Sequence, residues 1–170
     1  MNELPFIHLR QDLSAEARSP SWPTGIRPKT LNLGHDAQEA HAVLEMAYAK
    51  GGGSVEPFNV WWPHLSSDPE FDAALFFLAV DTQGRIVGVA HCWTSAFIKD
   101  LAVASNWRRR GIGEALLLHA FECFRRRGAQ YVDLKVQVNN PSRAVRLYHR
   151  VGMRSVAEMP SCGTSAHFPY

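Results

Sequence analysis

Residues Arg108-Arg109-Arg110-Gly111-Ile112-Gly113 combine three cations with two glycines, the residue types that can hold a pyrophosphate. Small residues let the backbone approach an anion closely, successive N–H groups can point at it, and the start of a helix adds partial positive charge. The run Ile98-Lys99-Asp100-Leu101-Ala102-Val103 before this segment reads as a strand, and Glu114-Ala115-Leu116-Leu117-Leu118 after it reads as a helix. Spacing excludes two phosphate loops. A Walker loop needs Lys and then Ser or Thr after its last glycine, whereas Glu114 and Ala115 follow Gly113. A dinucleotide fingerprint needs a third Gly or Ala three positions on, where Leu116 stands.

Other side chains able to do chemistry are scattered. His91 lies in an apolar run and titrates near neutrality when unperturbed, so it is a candidate base acting through water, against the reading of a structural strand histidine. Trp61, Trp62 and Trp93 could wall an acceptor pocket or fill the core. Cys92, Cys123 and Cys162 are odd in number and lack metal-ligand spacing, so neither a disulfide framework nor a metal site is expected, and a reducing cytoplasm fits.

The elements that must position these residues are legible in outline. A length of 170 residues with 46% hydrophobic content suits one domain with a substantial core. Residues 1–24 mix prolines, serines and charges without periodicity and read as an irregular N-terminal extension, leaving residues 25–170 as the domain. Residues 26–31 read as an edge strand that tolerates Pro28. A helical stripe runs through Ala37, Ala40, His41, Leu44, Met46 and Tyr48 until Gly51-Gly52-Gly53 stops it. The aromatic segment 58–65, interrupted by Pro63, is expected as a short helix or a lid. Residues 74–80 and 85–93 flank a polar connection containing Gly84 and read as a hairpin. A strand at 97–104, the helix after Gly113 and a strand at 131–136 form a parallel crossover, so the sheet is mixed. Asn140 as cap, Pro141 in the first turn and the Ala144, Leu147, Tyr148 and Val151 face define a last helix that Gly152 ends.

A basic residue, two arbitrary residues, Gly, any residue and Gly resembles the pyrophosphate motif of the GNAT superfamily of acyl-CoA N-acyltransferases. Downstream, Asn139-Asn140 followed by Ala144-Val145-Arg146-Leu147-Tyr148 and Gly152-Met153 resembles that superfamily's second signature, in the right order and at the right separation. The resemblance covers residues 26–158 and is most specific over 98–153. It implies a single α/β domain with a mixed, mostly antiparallel twisted sheet of six to seven strands flanked by helices, with a strand pair splayed at the acyl-CoA site. It further implies that Leu101, Ala102 and Val103 pair with the pantetheine arm of acetyl-CoA. Arg108, Arg109, Arg110, Gly111, Ile112, Gly113 and Glu114 would bind the pyrophosphate, Asn140 would touch the pantetheine and Arg143 a phosphate. A Cβ at Gly111 or Gly113 would crowd the ligand. The matching position of Tyr148 is a general acid in the family. A phenol of reference pKa about 10 stays protonated at neutral pH and can donate to the departing thiolate. Backbone N–H groups near Val103 could polarise the thioester carbonyl.

The base is less legible. Where some members carry a glutamate at the start of this strand, Phe97 stands. Asp100, which resembles one acid of the Glu-Asp-Leu variant in polyamine acetyltransferases, is with His91 a candidate base or acceptor contact, against the reading of a structural ion-pair partner. Lys99 replaces the other acid and disfavours a polycationic acceptor. Asp68-Pro69-Glu70-Phe71-Asp72 is similar to a stretch of the thiol-sugar-acetylating mycothiol synthases, over too few residues to choose a substrate. The resulting expectation is an enzyme that moves an acetyl group from acetyl-CoA to a primary amine in a ternary complex, without a metal. A small-molecule amine is favoured over a protein N-terminus or lysine because no acidic peptide-binding track is visible. A non-catalytic acyl-CoA sensor or interaction module is the alternative. The formal charge of +2 and the absence of a long apolar run argue against nucleic-acid and membrane partners. Family members often pair, so a homodimer stays open. Residues 166–170 are expected either as a closing strand or as a sign that the acceptor side is incomplete.

Overall fold

Two strands and two helices come first among the described residues, and strand and helix alternate only from the strand Phe97–Val103 onward. The computed structural model describes residues 5–51, 53–140 and 144–158. Strands β1 (Phe6–Asp12) and β2 (Arg27–Thr30) precede helices α1 (Ala37–Tyr48) and α2 (Phe58–Ser67). Strands β3 (Phe76–Val80), β4 (Ile86–Trp93) and β5 (Phe97–Val103) follow, then helix α3 (Ile112–Arg126), strand β6 (Tyr131–Gln137), helix α4 (Ala144–Arg150) and strand β7 (Arg154–Ser155). The seven strands make one sheet in the order β2-β3-β4-β5-β6-β1-β7, antiparallel throughout except where β5 meets β6. Among the described residues no helix is long and apolar enough to cross a membrane.

The sheet is covered on both faces, and its central strands are therefore apolar on both sides. Every residue of β3 is buried, which is why its sequence is a continuous apolar run rather than an alternating one. Helix α3 lays Ile112, Leu116, Ala120 and Phe124 on one face of the sheet with Leu9, Phe77 and Leu134. Helices α1 and α2 lay Ala40, Leu44, Trp61 and Leu65 on the other with Phe76, Leu78 and Val89. A Cβ at Gly88 would stand 3.0 Å from both Ile112 and Leu116, so its absence lets the start of α3 seat closely on β4. Helix α2 runs through Pro63 as a regular helix, anchored by buried Trp61 and Leu65. Packing of its apolar face outweighs the backbone bond that the proline removes.

The expected irregular extension is corrected. Phe6–Asp12 is an interior strand between β6 and β7, with Leu9 fully buried and Leu13 beside it in the core. Its polar residues hid it. Arg10 donates Nε and Nη2 to the two carboxylate oxygens of Asp133, each at 2.8 Å, and His8 Nε2 lies 2.9 Å from the same carboxylate. A buried charge is tolerable when paired and hydrogen-bonded, but the partner lies 123 residues away, out of reach of any local pattern. The chain beyond β1 also packs on the domain, with Arg18 bonded to Glu114 and the Trp22 ring edge-on to His119 at 5.9 Å.

Candidate active site

Strands β5 and β6 begin side by side and then part. Phe97 pairs with Asp133, whose N–H also donates to Ala96, but no further β5–β6 pair follows among the described residues. On its other side β5 stays paired with β4 up to Val103. One irregularity interrupts that pairing: His91 opposes Asp100 and Cys92 opposes Ile98, leaving Lys99 as a bulge. A bulge bends its strand and re-aims neighbouring side chains. A cavity of about 870 Å³ opens where the strands diverge, lined by Phe97–Val103, by Leu134–Gln137 on the facing strand, and by Tyr148 from α4. The β5 edge facing it offers backbone donors and acceptors that have no strand partner, as an added extended segment would require.

The same cavity reaches the glycine turn, where Arg108, Arg109, Gly111, Ile112, Gly113 and Glu114 line it. Arg109 and Gly111 both adopt left-handed backbone, with φ of 60° and 86°, a conformation whose N–H groups can form an anion-binding concavity. Helix α3 begins at Ile112 without a side-chain cap, and its first backbone bond is Ala115 N–H to the Gly111 carbonyl at 3.0 Å. The N–H groups of Ile112, Gly113 and Glu114 precede that bond and have no intrahelical acceptor. Arg108 turns back to donate Nε to the Val103 carbonyl at 3.2 Å, tying the turn to the strand end. Arg110 lies over the Trp107 ring, 5.0 Å from its centroid, and is absent from this cavity's lining.

The two glycines act for different reasons. Gly111 needs its positive φ, which a side chain rarely adopts. At Gly113 the crowding expected from a ligand comes first from the protein, since a Cβ would stand 3.1 Å from Leu147 Cδ2. Glu114 would oppose a bound anion, but Arg18 Nη2 at 2.7 Å and Arg150 Nε at 2.9 Å occupy its two oxygens. These partners hold its carboxyl below the ordinary value against the opposing effect of burial. Arg18, from the segment read as an extension, was not among the sequence candidates.

At the inner end, Asp100 and Tyr148 line the cavity from opposite sides of the splay. Burial alone would raise the Asp100 carboxyl, but hydrogen bonds from His91 and Tyr48 and the charge of Lys99 outweigh it and keep the group ionised below its ordinary value. Tyr48 Oη donates to Asp100 Oδ1 at 2.7 Å, and His91 Nδ1 makes a longer contact of 3.5 Å with Oδ2. Burial, then the negative charge of Asp100, pushes the Tyr148 phenol up to about 12, so it remains a proton donor across the neutral range.

His91 is fully buried behind Asp100, stacked on Phe76 with ring centroids 5.0 Å apart, and does not line the cavity. Trp61 belongs to the core on the α1 face, with Trp62 and Trp93 packed against it, and none of the three lines the cavity. Asn140 does line it, while Pro141, Arg143 and residues 166–170 lie outside the described residues. Asp68 accepts from the turn N–H of Glu70 and Asp72 from that of Ala74, each at 2.8 Å, and Asp72 also pairs with Arg127 at 2.9 Å. Tyr48 escaped the sequence reading because it fell on the apolar stripe of α1, and nothing local marks its hydroxyl as bound to a strand 52 residues on.

Residues 40–153 match the family model described as the acetyltransferase (GNAT) family. A mycothiol acetyltransferase from Thermobispora bispora is 29% identical over 160 residues, spanning 85% of this chain and 52% of that protein. A streptothricin acetyltransferase from Streptomyces lavendulae is 39% identical over 82 residues, 45% of this chain and 42% of that protein. Among solved structures, a GCN5-related N-acetyltransferase from Sphaerobacter thermophilus superposes with a TM-score of 0.77 at 32% identity, covering 88% of this chain and 48% of that one. The chain thus spans about half the length of these relatives.

Proposed function

Because the chain belongs to the GNAT acetyltransferase family, we propose that it transfers an acetyl group from acetyl-CoA to a primary amine by direct attack in a ternary complex. The observation that carries this reading is the single cavity of about 870 Å³ shared by the phosphate turn, the open β5 edge, Asp100 and Tyr148. Acetyl-CoA supplies an activated thioester. The turn and the start of α3 hold its pyrophosphate, with Arg108 and Arg109 adding positive charge, and the backbone of Leu101, Ala102 and Val103 pairs with its pantetheine arm. Asn140, in the turn after β6, adds a further contact. Backbone N–H groups near Val103 face the thioester carbonyl, where preorganised donors stabilise developing negative charge.

Asp100 receives the acceptor's proton. An alkylamine is mostly protonated at neutral pH and must shed a proton before attack. Asp100 takes it and passes it to water. The amine nitrogen bonds to the carbonyl carbon and loses a second proton to Asp100, the carbon–sulfur bond breaks, and Tyr148 protonates the thiolate. Asp100 returns its proton to Tyr148 through water, so the net products are the amide, CoA thiol and one proton. His91 stands behind Asp100 and supports it without touching the acceptor.

The acceptor is a small amine in preference to a protein N-terminus or lysine. Asp100 and Glu114 are the two carboxylates among the cavity's described lining residues, and Glu114 is consumed by arginines, which leaves one site for one cationic group. The similarity to acetyltransferases of streptothricin and mycothiol supports the same direction. The test is release of free CoA thiol from acetyl-CoA across small amines, amino sugars, aminoglycosides and short peptides. Turnover on one class identifies the acceptor; acetyl-CoA binding with silence across the panel favours the non-catalytic sensor instead.

A further inference from the structure

We propose that Tyr48 is a positioning residue for acceptor deprotonation, its hydroxyl at the end of α1 holding Asp100 as the carboxylate that receives the ammonium and then its proton. The proposal rests on the assignment of Asp100 as proton acceptor. The two carboxylates of the cavity differ in their partners. Glu114 is held by two guanidinium groups, whereas both recorded bonds to Asp100 come from a phenol and an imidazole. An arginine on Asp100 would cancel the charge that attracts an ammonium; a phenol orients the carboxylate and leaves the charge in place. Tyr48 occupies one acceptor direction of Oδ1, so lone pairs remain on both oxygens for the substrate.

The Tyr48 hydroxyl cannot itself compete as an acid. Burial and the neighbouring Asp100 charge drive its ionisation far above the usual phenol range. Asp100 keeps a side-chain exposure of 12%, enough contact with the cavity to meet a ligand, while His91 behind it has none. The cavity is the side from which Asp100 meets a ligand, and Tyr48 fixes the direction in which the carboxylate faces it. Against burial, His91 from β4, Lys99 beside it on β5 and Tyr48 from α1 favour the ionised form of Asp100, and Tyr148 from α4 feels its charge.

The experiment is the pH dependence of kcat/KM for wild type, Tyr48→Phe and Asp100→Asn, with acetyl-CoA affinity measured in each. Tyr48 donates to the ionised form of Asp100, so its removal raises the carboxyl pKa. The acidic limb should move to higher pH by about one unit, a roughly tenfold loss of activity on that limb, while activity on the plateau falls less. Asp100→Asn should abolish the limb. Carbon-13 NMR of the Asp100 carboxyl during titration should show the same upward shift in Tyr48→Phe without turnover. An unmoved limb or an unmoved carboxyl titration in Tyr48→Phe overturns the role of Tyr48. A wild-type protein that turns over amines but keeps its acidic limb in Asp100→Asn overturns the assignment of Asp100 beneath it.

Discussion

The two ends of the cavity are built by opposite strategies. The end proposed to hold the phosphates is a contiguous piece of chain, residues 103–114, that offers mainly backbone N–H groups and the left-handed conformations of Arg109 and Gly111. The end proposed for the acceptor is assembled from Tyr48, Asp100 and Tyr148, which come from α1, β5 and α4 and present side chains rather than backbone. A turn that binds through its backbone tolerates change in most side chains. A cluster that depends on a 2.7 Å hydrogen bond between distant elements does not. Donor binding and acceptor chemistry should therefore fail separately when mutated.

The largest expected effect is at Asp100. Asp100→Asn keeps the shape and removes the charge, so kcat/KM for the amine should fall by about 10²–10⁴ with acetyl-CoA affinity preserved, as measured by calorimetry. A parallel loss of both would break the separation of the two ends. Tyr148→Phe should lower kcat by about 10²-fold, again with donor affinity retained, and equal activity in both proteins would remove the general-acid role. Because the phenol ionises only near 12, wild-type kcat should show no decline from its ionisation between neutrality and about pH 10.

Smaller effects belong to the donor end. In Gly113→Ala the new Cβ meets Leu147, and overpacking of this kind typically costs about 1–3 kcal/mol. Acetyl-CoA dissociation constants should rise by about tenfold, with saturating kcat changed far less. Arg18→Ala should change least. The pair with Glu114 is partly exposed, so the melting free energy should move by no more than about 1 kcal/mol, while release of one Glu114 oxygen weakens acetyl-CoA a few-fold. Wild-type affinity in Arg18→Ala would mean that Arg150 alone neutralises Glu114.

Legibility followed the same division. The glycine turn could be read because its residues are adjacent in sequence, and its position between a strand and a helix carries through to the structure. Strand β1 could not, because the polar side chains His8 and Arg10 break its apolar alternation and find their partner only in Asp133. Phe97 stands where some family members carry a glutamate, and the sequence alone offered Asp100 and His91 without ground to choose between them. The Lys99 bulge changes this by placing Asp100 opposite His91 and on the side of the sheet that α1 covers.

By itself the sequence determined the elements whose signals are local: the apolar run of β3, the stripe of α3, and the glycines and arginines that shape an anion site. Periodicity and turn chemistry act over a few residues, so they survive in one dimension. Only the tertiary structure decided that residues 6–12 insert between β6 and β7, that Arg18 and Arg150 pair with Glu114, and that Tyr48 bonds Asp100 at the inner end of the cavity. Those are hydrogen bonds and ion pairs across tens of residues, and their strength depends on burial and distance that exist only once the chain has folded.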